Sequence, residues 1–298
     1  MNFWRQQTKW APYLFVSPFF ILFAIFMVYP LLSSIWLSFH QSRGFQYQVF
    51  VGLENFARLF RDPLFWKSLR NTFYFAAGTF LIQLPLALLL ALIVNSRRIK
   101  GRNFFRLAFF SPVLISGVFI AIIFALAYDA RSGLVNDMLS RLLPKRVLIP
   151  WLENERWVMP AVILAGVWRW TGFNMIYFLA GLQGIRQELY EAAAVDGANA
   201  WQAFLHVTLP SLRPVITFVL VFSMIGSLQL FDLPYVLTNG GGGPNDAATT
   251  IVMYLYRHGF QFVNLGYAAT IGWVLFGILV VVSLIQLRVL RFGREEEA

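Results

Sequence analysis

Three uncharged runs limit what this chain can fold into. Lys9 and Arg43 bracket 33 residues without an ionised side chain, Arg70 and Arg97 bracket 26, and Arg257 and Arg288 bracket 30. About 20 apolar residues of helix cross the hydrocarbon core of a bilayer, so each run is long enough to span a membrane. Composition agrees. The chain is 58% hydrophobic and 13% charged, whereas a soluble domain carries about 25% charged residues to wet its surface. The sequence reads as an all-α integral membrane protein. It is expected to form a single transmembrane domain over 1–298 with six spans, at about 11–39, 71–94, 104–128, 157–182, 214–237 and 266–287.

Arg5 and Lys9 ahead of an apolar stretch resemble the start of a secretory signal. The run from Trp10 to Phe39 is far longer than a signal's apolar region, and no small-residue cleavage pattern follows. It reads as a retained first span. Pro12, Pro160 and Pro214 fall near span starts, where a missing N–H costs nothing. Pro85 and Pro112 lie deeper, where each should bend its helix and free a carbonyl. Loop charge orients the chain. Five of the twelve residues 95–106 are basic (Arg97, Arg98, Lys100, Arg102 and Arg106), and a dense basic cluster in a short loop marks the cytoplasmic side. The expected orientation is N-in/C-in. The net charge of +10 is explained by such span borders rather than by nucleic-acid binding, since no basic stripe with interleaved aromatics lies on a soluble domain. Without cysteine, disulfides and thiolate metal sites are excluded.

The loops carry some pattern of their own. Residues 53–69 place Leu53, Phe56, Leu59 and Phe60 on one helical face, with Arg58, Arg61 and Lys67 elsewhere. That suits a short amphipathic helix at the membrane surface or, equally, a packed outer loop. The segment Thr238-Asn239-Gly240-Gly241-Gly242-Gly243-Pro244 is turn-rich. It is not a phosphate cradle, because no Lys-Ser/Thr pair follows. Glu295, Glu296 and Glu297 read as a solvated tail.

Between the fourth and fifth spans, residues 183–213 form a hairpin. Residues 187–195 are mostly good helix formers, and Gly197 suits the left-handed position that ends a helix. A second short helix carries Trp201, Phe204 and Leu205 and is expected to stop at Pro210. Alanines at the end of the first helix let a partner approach, and Glu188 and Glu191 offer anionic handles at i and i+3.

This hairpin resembles the signature of inner-membrane permeases of binding-protein-dependent ABC importers: Glu-Ala-Ala, three residues, Gly, nine residues, Ile, one residue, Leu-Pro. Here the positions are Glu191-Ala192-Ala193, Gly197, Val207 and Leu209-Pro210, with Val in place of Ile and the spacing unbroken. The likeness runs along most of the chain. Gly52-Leu53-Glu54-Asn55-Phe56, Asp62-Pro63, Asn71-Thr72, Ala180-Gly181-Leu182-Gln183, Phe231-Asp232 and Thr238-Asn239-Gly240-Gly241 are similar to the carbohydrate-uptake members, in the maltose-F-like or glycerol-phosphate-A-like half of a permease pair. The maltose-F protein carries extra N-terminal spans and a large outer domain that this chain lacks.

The resemblance implies a type I ABC importer permease fold in the inner (plasma) membrane. It implies a coupling role for Glu188, Glu191, Ala192, Ala193, Asp196, Gly197, Leu209 and Pro210. The implied partners are a second homologous permease, two ATP-binding subunits and an external solute-binding protein, with membrane lipid around the spans. The cargo would be a sugar, polyol, glycoside or glycerol phosphate. No Gly-x-x-x-x-Gly-Lys-Ser/Thr occurs in this chain, so ATP and Mg belong to the partner ATPases and no cofactor or metal is expected here.

Ionisable residues inside spans are expensive and usually face a cavity or a partner. Arg169 in the fourth span and Asp232 in the fifth are the two present. At 1.5 Å per residue they lie about 18 Å and about 8 Å from the outer ends of straight helices, so a direct pair would require the arginine to reach outward. Gln229 and Asp232, three apart, are expected on one helix face. With Trp168, Asn174, Phe231 and Tyr235 they complete the candidates for a translocation path. A secondary transporter would prefer an inverted repeat and coupling-ion carboxylates, and neither is visible. An intramembrane enzyme is disfavoured because His40, His206 and His258 lie in separate segments without metal-ligand spacing.

Overall fold

The computed structural model of the protein describes residues 3–44, 47–96 and 99–291. Arg97, Arg98, Arg294 and the Glu295–Glu297 tail lie outside the described residues. In chain order the elements are α1 (Phe3–Phe23), a π-turn (Ala24–Val28), α2 (Tyr29–Ser38), β1 (His40–Arg43), β2 (Tyr47–Phe50), α3 (Glu54–Arg61), α4 (Pro63–Asn95), α5 (Arg102–Leu114), α6 (Gly117–Ala127), α7 (Leu134–Leu142) and α8 (Glu155–Gln183). There follow α9 (Gln187–Val195), α10 (Ala200–Ala203), a π-turn (Phe204–Thr208), α11 (Leu209–Ser211), α12 (Arg213–Leu228), α13 (Asp232–Leu237), α14 (Ile251–Tyr256) and α15 (Leu265–Arg291).

Trp10–Ser38, Pro63–Asn95, Glu155–Gln183, Arg213–Leu237 and Leu265–Val289 are each long and apolar enough to cross a membrane. The expected third span, 104–128, is not one helix. It is α5 and α6, bent by 99° across Ile115–Ser116, both of which have extended backbone. Counting that pair as one span gives six. Pro112 contributes to the distortion as expected. Its missing N–H cannot reach the Ala108 carbonyl, and the Ser111 hydroxyl donates to that carbonyl instead, at 3.0 Å.

The chain divides into two compact units. One comprises residues 1–62 and 255–276. Its first span is apolar all round and buries nothing along its most hydrophobic stretch, as suits a helix whose solvent is lipid. The antiparallel hairpin β1–β2, with His40 opposite Phe50, is the one sheet among the described residues. Helix α3 packs onto this unit. Leu59 is fully buried, and the Asn55 amide donates to the carbonyls of Ser38 and His40 at 3.0 Å each. Leu53 and Phe60 remain exposed. The segment is therefore a short helix packed on one face and apolar at its outer edge, followed directly by the first turns of α4.

The second unit, residues 63–254 and 277–298, is organised on α8. That helix is the most buried of the spans, and Ala161, Ala165 and Gly172 keep its surface low enough for close helix approach. Two apolar clusters lie along it. The one nearer its start gathers Phe75, Ile120, Val158, Val162, Leu233 and Leu237. The other, nearer its end, gathers Ala91, Val94, Phe178, Leu182 and Leu212.

The Gly-rich segment packs at the start of α8. Asn71 donates to the carbonyls of Asp246 and Thr249 at 2.9 and 3.1 Å, and the Ile251 N–H donates to Thr72 Oγ1 at 3.0 Å. Its own amides are committed within it: Gly240 to the Tyr235 carbonyl, Gly242 to Thr238 Oγ1 and Ala248 to the Gly242 carbonyl.

Candidate functional site: a projecting hairpin and a polar cleft

Helix α9 follows Gln183 after three residues and ends in a turn that only its local sequence dictates. Gly197 has φ +78°, the left-handed region open to glycine. The Ala198 N–H donates to the Ala193 carbonyl at 2.9 Å and the Gly197 N–H to the Ala194 carbonyl at 3.1 Å, which is the Schellman pattern. Asn199 then caps α10. Its side chain accepts from the Gln202 N–H at 2.9 Å, and the Gln202 side chain accepts from the Asn199 N–H at 2.8 Å, a capping box that satisfies two end donors. Tyr190 Oη and Thr208 Oγ1 lie 2.9 Å apart and join the two arms.

Pro210 does not stop the second arm. The π-turn at 204–208 widens the helix just before it, and the chain continues through α11 into α12. A π-turn moves the hydrogen-bond register by one residue, so the proline's missing donor no longer breaks the arm.

The hairpin surface does not resemble a solvated end. Val195 is 88% exposed and Trp201, stacked on Phe204, is 66% exposed. Glu188, Glu191, Ala192 and Asp196 are exposed and Ala193 is half-buried. A hollow of about 450 Å³ is bordered by Leu189, Ala192, Ala193, Gly197, Gln202 and Val207. Glu188 lies 3.9 Å from Arg186, both highly exposed, a pair that contributes little by itself. Leu209 and Pro210 are half-buried at the root, where Leu212 is fully buried.

A second feature lies among the spans. A cleft of about 70 Å³ is lined by Thr79 and Gln83 of α4, Trp170 and Asn174 of α8, and Ser223 and Ser227 of α12, with Phe173 and Phe222 beside them. Asn174 donates to Ser223 Oγ at 3.2 Å. The lining offers amides, hydroxyls and aromatic faces, and no ionised side chain. Of the residues singled out from sequence as path candidates, Asn174 alone lines it. Trp168 faces away, 46% exposed and edge-on to Phe124. Two residues apart on a helix means nearly opposite faces, so Trp170 takes the position beside the cleft, one turn from Asn174. Gln83, Thr79, Ser223 and Ser227 were missed. The legible signal was two polar i, i+4 pairs, 79/83 and 223/227, inside otherwise apolar helices.

Arg169 and Asp232 meet directly, Nη1 to Oδ2 at 2.7 Å. Straight-helix counting separates them because it assumes one fifth helix. The chain instead leaves α12 at Leu228, passes through Gln229–Phe231, and restarts at Asp232. For the same reason Gln229 and Asp232 do not share a helix face; Gln229 is the exposed end of α12. Phe231 stacks on Tyr235 at 4.9 Å between ring centres.

The sequence model described as Binding-protein-dependent transport system inner membrane component matches residues 83–292. The chain is 41% identical over 291 residues to the arabinooligosaccharides transport system permease protein AraP of Bacillus subtilis, covering 96% of this chain and 91% of that protein. It is 39% identical over 275 residues to the lactose transport system permease protein LacF of Rhizobium radiobacter, covering 92% of each. Among solved structures, a chain of a bacterial ABC transporter involved in the import of the acidic polysaccharide alginate superposes with TM-score 0.83 at 28% identity, covering 98% of this chain and 99% of that one. A bacterial alginate ABC transporter in complex with alginate pentasaccharide-bound periplasmic protein gives TM-score 0.80 at 28% identity, with 96% of each chain covered.

Proposed function

This chain belongs to the family of binding-protein-dependent transport system inner membrane components, and from that membership we propose that it is one permease subunit of a carbohydrate importer driven by separate ATPases. Its fold is that of a type I ABC importer permease, and it is a multi-pass membrane subunit. The observation that carries the coupling reading is the projecting hairpin. Its tip is braced by the Schellman turn, the capping box and the Tyr190–Thr208 bond, yet presents Val195, Trp201 and Glu191 outward. A rigid arm with an apolar and anionic tip outside the bilayer suits insertion into a cleft on a cytoplasmic ATPase. Glu188, Glu191, Ala192, Ala193 and Gly197 form its contact region.

On this reading both termini and the hairpin are cytoplasmic, in the inner (plasma) membrane. ATP and Mg are held by two partner subunits, in keeping with the missing nucleotide-binding motif in this chain. A second, homologous permease faces this one across the path. An external binding protein delivers the cargo, as the periplasmic protein accompanies the alginate transporter.

The uncharged lining of the cleft favours a neutral saccharide, whose hydroxyls Gln83, Asn174, Ser223 and Ser227 can meet while Trp170 or Phe173 stacks on a ring. This fits the arabinooligosaccharide and lactose permeases among the relatives. Cargo passage requires the narrow cleft to widen, as alternating access entails.

The test is retention of the ATPase subunits by the purified permease. Glu191→Ala should weaken docking by about 1–3 kcal/mol, the scale of a hydrogen bond to a charged group. Gly197→Val should be harsher, because a β-branched residue fits positive φ poorly. Full retention of the ATPases by both variants refutes the hairpin's coupling role.

A further inference from the structure

Two spans are broken in the half of the second unit away from the hairpin. The third turns by 99° before Gly117, and the fifth loses its helical course between Leu228 and Asp232. The pieces beyond these breaks, α6 and α13, have 11 and 6 residues. Neither is aimed by an unbroken ladder of hydrogen bonds, so tertiary contacts must set their angles. They pack on each other and on α8, and one charged contact joins all three helices.

That contact is the ion pair between Arg169 on α8 and Asp232 at the first position of α13. The second carboxylate oxygen of Asp232 accepts the Leu233 N–H at 2.9 Å, so the carboxylate also fixes the start of its own helix. Gly117, the first residue of α6, is buried against the pair. A Cβ there would overlap both the Asp232 carboxylate and the Arg169 guanidinium. Only a bare Cα allows α6 to come this close.

Such a pair is a poor device for stability alone. Well-packed apolar side chains of similar volume stabilise a buried site as well or better, and the best-attested use of a buried ion pair is to set register or specify one arrangement. Here Arg169 is 14% exposed and Asp232 is 35% exposed, so the carboxylate keeps some access to solvent and the contact can open.

We propose that Arg169 and Asp232, seated on the bare backbone of Gly117, form a positioning lock that makes α6 and α13 move with α8. The proposal rests on the transport reading above. If the hairpin displaces the long helices, the lock carries that displacement across both breaks to the far half of the path. Arg169 and Asp232 then act on the cargo only through helix placement, and Gly117 joins them as a third positioning residue.

The chain has no cysteine, so site-directed spin labels can report on this directly. Labels at Leu126→Cys on α6, 73% exposed, and Leu164→Cys on α8, 42% exposed, measure the placement of α6 against α8 in the full complex with its ATPases. The expected result is one narrow distance peak in the parent that keeps its position when Mg-ATP and vanadate trap the complex. Asp232→Asn, nearly isosteric and still able to accept the Leu233 N–H, should lose the narrow peak while the complex stays assembled. Gly117→Ala should lose it too with both charges intact, and Arg169→Lys should retain part of it. A narrow, parent-like peak in assembled Asp232→Asn and Gly117→Ala complexes overturns the lock. So does failure of the Asp232→Asn complex to assemble, which would make the pair a folding strut. Glu191→Ala changes ATPase retention and not this distance in the unliganded complex, so the two readings fail separately.

Discussion

At the scale of single residues, local chemistry accounts for those positions whose partners are near in sequence. Gly197 is one: its positive φ is required by a turn whose hydrogen bonds all fall within six residues, and open space surrounds its Cα. Its substitutions should therefore act through backbone strain and not through collision, the reverse of Gly117. His258 shows the other case. Its ring lies edge-on to Tyr267 at 4.7 Å, with the Arg58 guanidinium over the same Tyr267 ring at 4.6 Å and Phe262 beside it. Burial first, and then Arg58, push the imidazole down to about 4; Asp62 opposes them, and Arg257 adds the smallest push downward. The unfolded imidazole takes its proton near pH 6.5. The folded state thus binds fewer protons than the unfolded one between these values, and stability rises with pH across that window. The contribution is complete above about pH 6.5 and is lost as pH falls toward 4. Amide protection factors over residues 255–270, with the intrinsic pH dependence of exchange divided out, should fall on acidification through this range, and His258→Phe should remove that pH dependence. Protection factors that are flat with pH in the parent would contradict the assignment.

At the scale of elements, the hairpin is built from capping signals that can be read one by one, and each has a separable worth. Asn199→Ala removes the cap of a four-residue helix and should destabilise the second arm by about 1 kcal/mol. The expected readout is faster protease cleavage or amide exchange at 198–206, with the spans unaffected. Unchanged protection there would mean that the π-turn and α12 hold the arm without the cap. The third and fifth spans were less legible. Each has the composition of a crossing helix, and hydropathy has no term for an interruption of the helix. Pro112 marked a weak point in one of them. Ser116-Gly117 is a turn-favouring dipeptide, but a local signal of that kind does not fix a 99° change of direction. The arm beyond Pro210 ran the other way: proline rules predict a stop, and one π-turn removes the conflict.

At the scale of the whole molecule, the cleft is assembled by residues from α4, α8 and α12 that lie far apart in sequence. The proposed use of the cleft as a sugar path predicts a selective loss. Gln83→Leu keeps side-chain volume close to constant but removes the amide, and the loss of one neutral hydrogen bond of about 0.5–1.5 kcal/mol should lower carbohydrate uptake by a corresponding factor. Uptake by complexes that retain their ATPases and binding protein is the measurement; an unchanged rate would place Gln83 outside the path. The same variant at Trp168, which lies on Phe124 rather than at the cleft, should leave cargo preference as it is.

The sequence by itself determined most of what has a local or additive cause. Uncharged runs dictate helices that cross a membrane, since each residue's transfer energy counts separately. The Glu-Ala-Ala to Leu-Pro spacing dictates the hairpin, since capping and turn energies act within a few residues. Only the tertiary structure decided the meeting of Arg169 with Asp232, the break before Gly117 and the choice of Trp170 over Trp168. Each of these depends on where a helix changes direction and which face it turns to a neighbour. Small shifts in helix axis and phase settle such questions, and they are set by the packing of several segments at once.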